Sequence, residues 1–165
     1  MKPVCLKILT AVLFWAMFAA PAWPAMHLAL IGGEPERVLA CLPADPGTTV
    51  HLEFINSIYQ ARVRESFAVH PAQGLVLIRV ESPSAGVFEY YGLMTDGSGE
   101  AAMHRVIGEI RLLSHDYRNH QLIVGTRKTL LRRFVENGKP LRIRVMTENG
   151  CHPNQTAGVN HEGRE

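Results

Sequence analysis

Two polar residues directly after a strong strand pattern are the first candidates for chemistry in this chain. Asn56 and Ser57 follow the apolar–polar alternation of residues 50–55, and Glu65 lies eight positions after Ser57. If residues 57–62 turn back as a hairpin, Glu65 returns beside the preceding strand. Its place in the alternation matches that of its apolar neighbours, so the carboxylate would point inward unless the strand is bulged; a glutamate at a sheet rim is the alternative. A buried carboxylate needs a hydrogen-bond partner or a shifted pKa, because burying bare charge is costly.

A corner of small residues is the second candidate. Ser84, Ala85 and Gly86 follow the apolar run of residues 75–80. Backbone N–H groups at such a corner can point at an anion or a carbonyl oxygen, or Gly86 can simply serve a turn that needs a positive φ. The predicted ligand-binding residues are therefore Asn56, Ser57, Glu65, Ser84, Ala85 and Gly86.

Catalytic and metal-binding motifs are weak. Ser57 lacks the Gly-x-Ser-x-Gly elbow that exposes a hydrolase serine, and spacing selects no histidine as its general base. His104, His115 and His120 fall within seventeen residues, yet no two have the short spacing that aims both imidazoles at one ion. We therefore expect no catalytic residues, no metal and no cofactor.

Cys41 and Cys151 are the two cysteines beyond the N-terminal segment. In an oxidising compartment they could form a disulfide that closes a loop of 110 residues. Two free thiols on separate elements are the alternative. No Cys-x-x-Cys motif is present, so the sequence indicates neither a redox motif nor a zinc knuckle.

Strand patterns dominate the elements that would position these residues. Residues 50–55, 63–69 and 141–145 alternate between apolar and polar, and turn residues recur about every ten positions. This pattern predicts an all-β fold, a single antiparallel β-sandwich or barrel-like domain of roughly 9–11 short strands. Only residues 129–135 could form a helical turn, and residues 92–100 form the longest polar loop.

The N-terminal segment is typical of an export signal. Lys2 and Lys7 flank the start of an apolar run over residues 8–20, and small residues with prolines follow it. An uncleaved membrane anchor is the alternative, although Pro21 and Pro24 interrupt a continuous helix. The predicted organisation is a signal peptide or anchor over residues 1–25, a β domain over 26–146 and a disordered tail over 147–165.

Charge argues against nucleic-acid binding. Without residues 1–25, fifteen basic residues face fifteen acidic ones, whereas a nucleic-acid-binding domain has a strong basic excess. The basic residues are concentrated between Arg105 and Arg144, where ten lysines and arginines accompany three acidic residues. This stretch could face anionic lipid or an acidic partner, or it could be a solvated strand face.

The order of several short motifs over residues 28–146 resembles a small bacterial exported family of unknown function, typically encoded beside TAXI-class tripartite ATP-independent periplasmic (TRAP) transporters. In that family a His-Ser-Val motif is followed by a glutamate eight residues after the serine, and a Ser-Phe-Gly-Ala-Gly-Leu-Pro motif comes later. The matching segments here are Cys41-Leu42-Pro43, Asn56-Ser57-Ile58, Glu65-x-Phe67, Ser82–Gly86, Gly108-Glu109-Ile110 and residues 120–125.

The chain departs from the family pattern at both motifs. Asn56 stands where the family has its histidine, and the later motif keeps only the serine, the alanine and the second glycine. Asparagine exchanges hydrogen bonds but does not titrate like an imidazole. The resemblance therefore implies a location and a setting rather than a reaction.

The favoured hypothesis is an exported, non-enzymatic accessory or binding domain, periplasmic or anchored to the periplasmic face of the inner membrane. Its expected partners are a TRAP transporter membrane subunit, a solute receptor or a small solute. One alternative is a small periplasmic hydrolase that uses Ser57 with a histidine. Another is an envelope interaction module that uses the basic stretch between Arg105 and Arg144.

Overall fold

The computed structural model describes residues 24–153. The predicted signal or anchor lies outside these residues except for its last two positions, and so does the end of the predicted tail from residue 154. No helix of the described part is long and apolar enough to cross a membrane.

Nine strands and one short α-helix form in the described residues, which confirms the predicted all-β class. The strands are β1 (Met26–Gly32), β2 (Arg37–Pro43), β3 (Thr49–Asn56), β4 (Ala61–His70), β5 (Gly74–Glu81), β6 (Glu100–Leu113), β7 (Gln121–Val124), β8 (Arg127–Leu130) and β9 (Pro140–Thr147), with helix α1 (Ala85–Tyr91) between β5 and β6. Short 3₁₀ helices cover Tyr117–Asn119, Leu131–Arg133 and Glu148–Gly150.

All nine strands belong to one curled antiparallel sheet, a half-barrel, in the order β2-β1-β9-β6-β5-β4-β3-β7-β8. The barrel-like form of the prediction is therefore the one adopted. Strand β6 joins the two parts of the curl, because residues 100–108 pair with β5 whereas residues 109–113 pair with β9.

The change of partner along β6 depends on two glycines. Gly108 has φ +75° and pairs with Leu75, and the neighbouring Gly74 has φ +72°. A Cβ at Gly74 would come within 2.4 Å of the Gly108 carbonyl oxygen. Only glycine fits this approach, since a side chain would meet rigid backbone in a conformation that L residues rarely adopt. The bend turns residues 109–113 over the concave face of the sheet.

The core fills that concave face. Val50 and Leu52 of β3, Val63 and Phe67 of β4 and Leu77 of β5 are buried together. Their alternation with more exposed residues is the period-two pattern that identified these strands in the sequence.

Residues 82–91 differ from the predicted small-residue corner. Ser84 precedes α1 without a side-chain capping hydrogen bond, and Ala85 and Gly86 are its first two residues. The helix forms here because Val87 and Phe88 are buried in the core, while Gly92 ends it in the left-handed conformation. Gly86 has no positive φ but leaves room for the Tyr59 ring, since a Cβ would come within 2.4 Å of that ring and the ring would have to shift.

The end of the chain is more structured than predicted up to the last described residue. Strand β9 runs to Thr147, a 3₁₀ helix follows, and Cys151 is buried. The predicted disulfide is present between Cys41 and Cys151, whose Cα atoms are 5.9 Å apart. The bond ties β2, at one end of the sheet order, to the segment that follows β9.

Candidate functional site

Asn56 and Ser57 lie at the hairpin between β3 and β4. The Asn56 Oδ1 atom accepts hydrogen bonds from the backbone N–H groups of Ile58 and Tyr59, both at 3.0 Å. This arrangement closes the turn, so the side chain of Asn56 has a structural role. Ser57 is exposed at the tip, and its carbonyl accepts from Gln60 Nε2 at 2.6 Å.

Glu65 points into the concave face, opposite Leu52, as its place in the alternation predicts. Its partner was not foreseen: Tyr91 Oη donates a hydrogen bond to Glu65 Oε1 at 2.5 Å. Burial raises the pKa of Glu65, and the hydrogen bond from Tyr91 opposes part of that rise. Among the described residues, side-chain hydrogen bonding to this carboxylate engages Oε1 only.

Helix α1 supplies Tyr91 to this pair from its last position. The Tyr91 carbonyl accepts from Arg105 Nη2 at 3.1 Å, which fixes the end of the helix against β6. Burial raises the pKa of the Tyr91 hydroxyl, and the neighbouring Glu65 adds to that effect. Tyr91 therefore remains a neutral hydrogen-bond donor at any physiological pH.

Glu65 and Tyr91 line a cleft of about 290 Å³, which we call the Glu65 cleft. Its floor is apolar, formed by Leu52, Phe54 and Phe67. Clefts of this kind, apolar with a few convergent polar groups, are typical ligand sites in the mouths of β-barrels.

His120 stands at the boundary of the Glu65 cleft. Its Nδ1 atom lies 2.9 Å from the Asp116 carbonyl oxygen, which can only accept, so Nδ1 carries the hydrogen. The ring stacks on Phe54 with centroids 5.6 Å apart. Burial lowers the pKa of His120, which favours the neutral ring and makes Nε2 an acceptor.

A second cleft of about 480 Å³, the Ser57 cleft, lies on the other side of His120. Asn56 and Ser57 line it, and it shares Phe54, Leu112 and His120 with the Glu65 cleft. The two clefts are therefore adjacent, and we call them together the groove.

The predicted site residues are only partly brought together. Asn56 pairs with Ala61, and Glu65 is four residues further along β4. At ~3.3 Å per residue this separation is about 13 Å. Ser57 and Glu65 thus lie at opposite ends of the groove instead of forming one polar cluster.

The residues Ser84, Ala85 and Gly86 line neither cleft. Gly86 instead packs against Tyr59, next to the tip of the β3–β4 hairpin. The prediction from sequence did not include Tyr91, Phe54 or the positioning role of Arg105. It considered His120 only as a possible metal ligand.

The outer face of the β3–β4 pair carries a serine–histidine contact. His51 Nδ1 lies 2.8 Å from Ser66 Oγ. Ser66 is only 4% exposed, and neither residue lines either part of the groove. A substrate carbonyl could not reach this hydroxyl, so the contact is structural.

Acidic, histidine and cysteine side chains do not gather elsewhere in residues 24–153 in groups of three or more that could hold a metal ion. Another cleft, of about 410 Å³, lies beside the β1–β2 turn and is lined by Glu34, Arg37, Glu136 and Lys139. These four residues are exposed and their charges balance, so the cleft selects no particular ligand.

Comparison with known proteins finds no protein family, curated protein or solved structure that matches the chain. The functional argument therefore rests on the geometry of the groove and on its chemistry. The feature that carries most weight is the inward carboxylate of Glu65.

Proposed function

We propose that this chain is an exported, non-enzymatic binding domain that uses the groove to hold a ligand and supports a TAXI-class TRAP solute transporter. The observation that carries the proposal is Glu65, an inward carboxylate in an apolar cleft with a single side-chain hydrogen bond. Burying such a group with a single side-chain hydrogen bond costs folding free energy, and a functional use would explain why the carboxylate is there. A ligand that donates a hydrogen bond to Glu65 would supply that use.

Export is supported by two features of the chain. The disulfide between Cys41 and Cys151 is typical of proteins in oxidising compartments. The N-terminal segment has the positive head and apolar core of a secretory signal or a retained anchor. We infer a periplasmic location, free or anchored to the periplasmic face of the inner membrane.

The serine hydrolase alternative has less support. A Ser57 nucleophile needs a histidine within hydrogen-bond reach as its general base. Within the described part of the chain, no histidine makes a hydrogen bond with the Ser57 hydroxyl, although His115 and His120 both line its cleft.

The envelope-interaction alternative is weakened by how the basic stretch is distributed. Arg127 and Lys128 lie on β8 and Arg142 and Arg144 on β9, and five strands separate β8 from β9 in the sheet. Several of the arginines are also neutralised locally, since Arg111 pairs with Glu109 and Arg142 with Glu36.

Uptake in the source organism tests the proposal. The gene is deleted, and uptake of the solute of the neighbouring TRAP transporter is measured with and without complementation. We expect uptake to fall on deletion, to recover with the wild-type gene and with Glu100→Gln, and to stay low with Glu65→Gln. The control makes the same chemical change at Glu100, which forms a half-exposed ion pair with Arg79 away from the groove.

Unchanged uptake after deletion would contradict the transport role. Full recovery with Glu65→Gln would show that the groove carboxylate has no part in it. Western blotting of periplasmic extracts confirms that each variant is exported at the same level.

A further inference from the structure

Residues 109–113 of β6 have one open strand edge. They pair with β9 through Glu109↔Arg144 to Leu113↔Pro140. On the other side, β5 begins at Gly74 and its pairing with β6 ends at Gly108. In the described chain, therefore, no strand pairs with the second edge of residues 109–113.

The open edge faces the groove. A cleft above one face of a strand would be lined by alternate residues, because successive side chains point to opposite sides. Instead, four consecutive residues, 109–112, line the Glu65 cleft, and residues 112–116 continue along the Ser57 cleft. This continuous lining means that the groove runs alongside the backbone of β6.

Backbone groups at such an edge need partners. The Leu112 carbonyl already accepts a hydrogen bond from Tyr117 Oη at 3.2 Å, so that group is partly satisfied. The other edge groups resemble the free edges to which extended peptides add as a further strand. A small solute could fill the apolar floor, but it could not match a row of peptide groups.

The groove also specifies the side chains of such a peptide. Phe54, Phe67 and Leu112 offer apolar contact, while Glu65 offers an acceptor in low-dielectric surroundings. His120 Nε2 is a second acceptor. Arg105 and Arg111 also line the cleft, but Arg105 Nη2 donates to the Tyr91 carbonyl and Arg111 Nε donates to Glu109. An ammonium donor therefore complements the Glu65 carboxylate, because hydrogen bonds that involve a charged partner are the stronger ones.

We propose that the groove receives an extended peptide segment of a partner protein, which adds as a strand to residues 109–113 and places a lysine side chain against Glu65. This rests on the proposed function and specifies the ligand of the same groove. The open edge spans five residues, or about 17 Å of extended peptide at ~3.3 Å per residue.

Selection from a displayed library of random decapeptides tests the proposal on the oxidised protein, purified after export of the full-length chain. We expect enriched peptides with apolar residues at alternate positions around a lysine. Binding of the best synthetic peptide, measured by calorimetry, should weaken at least tenfold with Glu65→Gln or with norleucine in place of the lysine, and should be unchanged with Glu100→Gln. The effects of Glu65→Gln and of norleucine should not add, because both remove the same contact.

Strand addition has its own readout. In an added strand, alternate backbone N–H groups of the peptide point toward β6 and the others point away from it. Methylating the first set of nitrogens should abolish binding, and methylating the second set should leave binding nearly intact. Amide hydrogen exchange of residues 109–113 should slow when the unmethylated peptide binds. Equal tolerance of methylation in both registers, or unchanged exchange at these residues, would overturn strand addition.

Two outcomes overturn the peptide proposal as a whole, and they differ in what they mean for the proposed function. If no peptide is enriched but dodecylamine binds in a Glu65-dependent way, the groove holds a small amphipathic solute and the proposed function stands. If neither binds and the uptake experiment also shows no effect of Glu65→Gln, both proposals fail.

Discussion

The two faces of the β3–β4 pair handle polar side chains in opposite ways. On the outer face, His51 contacts Ser66, and Glu53 accepts from Arg64 Nε at 2.7 Å, so polar groups satisfy one another within the pair. On the inner face, Glu65 depends on Tyr91, which comes from a helix twenty-six residues away in sequence.

We interpret the outer polar pairs as structural and the inner carboxylate as available for binding. Self-satisfied polar pairs on the outer face have little to offer a ligand, since a new contact would replace an existing one. The inner carboxylate retains an acceptor oxygen beside an apolar floor, where hydrogen bonds are stronger than in water. The comparison implies that inner substitutions alter stability and binding, whereas outer ones alter stability only slightly.

Truncation of the inner floor should have the largest effect. Phe67→Ala removes a side chain that is 2% exposed, and we expect a loss of about 3–5 kcal/mol in the free energy of unfolding. Urea unfolding followed by circular dichroism measures it. The outer control Arg64→Gln should cost about 1 kcal/mol or less, because its ion pairs are partly exposed. A larger loss for Arg64→Gln than for Phe67→Ala would invert the comparison.

Removal of the donor to Glu65 should come next. Tyr91→Phe keeps the ring and deletes the hydroxyl, and we expect a loss of about 1.5–3 kcal/mol where Glu65 is ionised. The loss should shrink at acid pH, where the protonated carboxyl needs this donor less. Urea titrations at pH 4 and pH 8 test this, and an equal loss at both would show that the hydroxyl does not serve the carboxylate.

Ser66→Ala on the outer face should cost less, about 1 kcal/mol, for one lost neutral hydrogen bond to His51. Peptide binding and solute uptake should be unaffected. Loss of uptake at wild-type protein levels would mean that the outer face also functions.

The smallest change in stability should come from Glu65→Gln, because glutamine keeps the shape of the side chain and an acceptor for Tyr91. Unlike the other substitutions, this one should stabilise the protein. Because burial raises the pKa of Glu65 in the folded protein, the wild type keeps the full contribution of this group below the unfolded pKa, near 4.5. It loses stability as pH rises through the folded pKa. We therefore expect Glu65→Gln to be more stable than the wild type at pH 8 and equal to it at about pH 3. If the stabilities of the wild type and of Glu65→Gln changed with pH in parallel, the raised pKa of an inward Glu65 carboxylate would be contradicted.

Strands β3, β4, β5 and β9 were predictable because each of these four carries a local signal. Residues 50–55 and 63–69 largely alternate between apolar and polar, and a period of two places one set of side chains in the core. The same pattern gave the inward direction of Glu65. These predictions depend only on residues next to one another in sequence.

The features that could not be predicted depend on contacts between residues far apart in the sequence. Residues 85–91 contain glycine and aromatic residues with low helix propensity, and they become helical because Val87 and Phe88 are buried by strands that come from elsewhere in the chain. The Tyr91 partner of Glu65 follows from that packing, and the bend at Gly108 depends on the close approach of Gly74 from another strand. Spacing along the chain therefore suggested Ser57 as the companion of Glu65, although the hairpin carries Ser57 away.

The Cys41–Cys151 bond bears on how this protein has to be made. It clamps the outermost strand β2, whose far edge has no strand beside it in the described residues, to the segment beyond β9. Protein produced in a reducing cytosol would lack the clamp, and β2 would be free to separate from β1. Recombinant material secreted by a host, or refolded with an oxidant, is the form in which ligand binding should be measured.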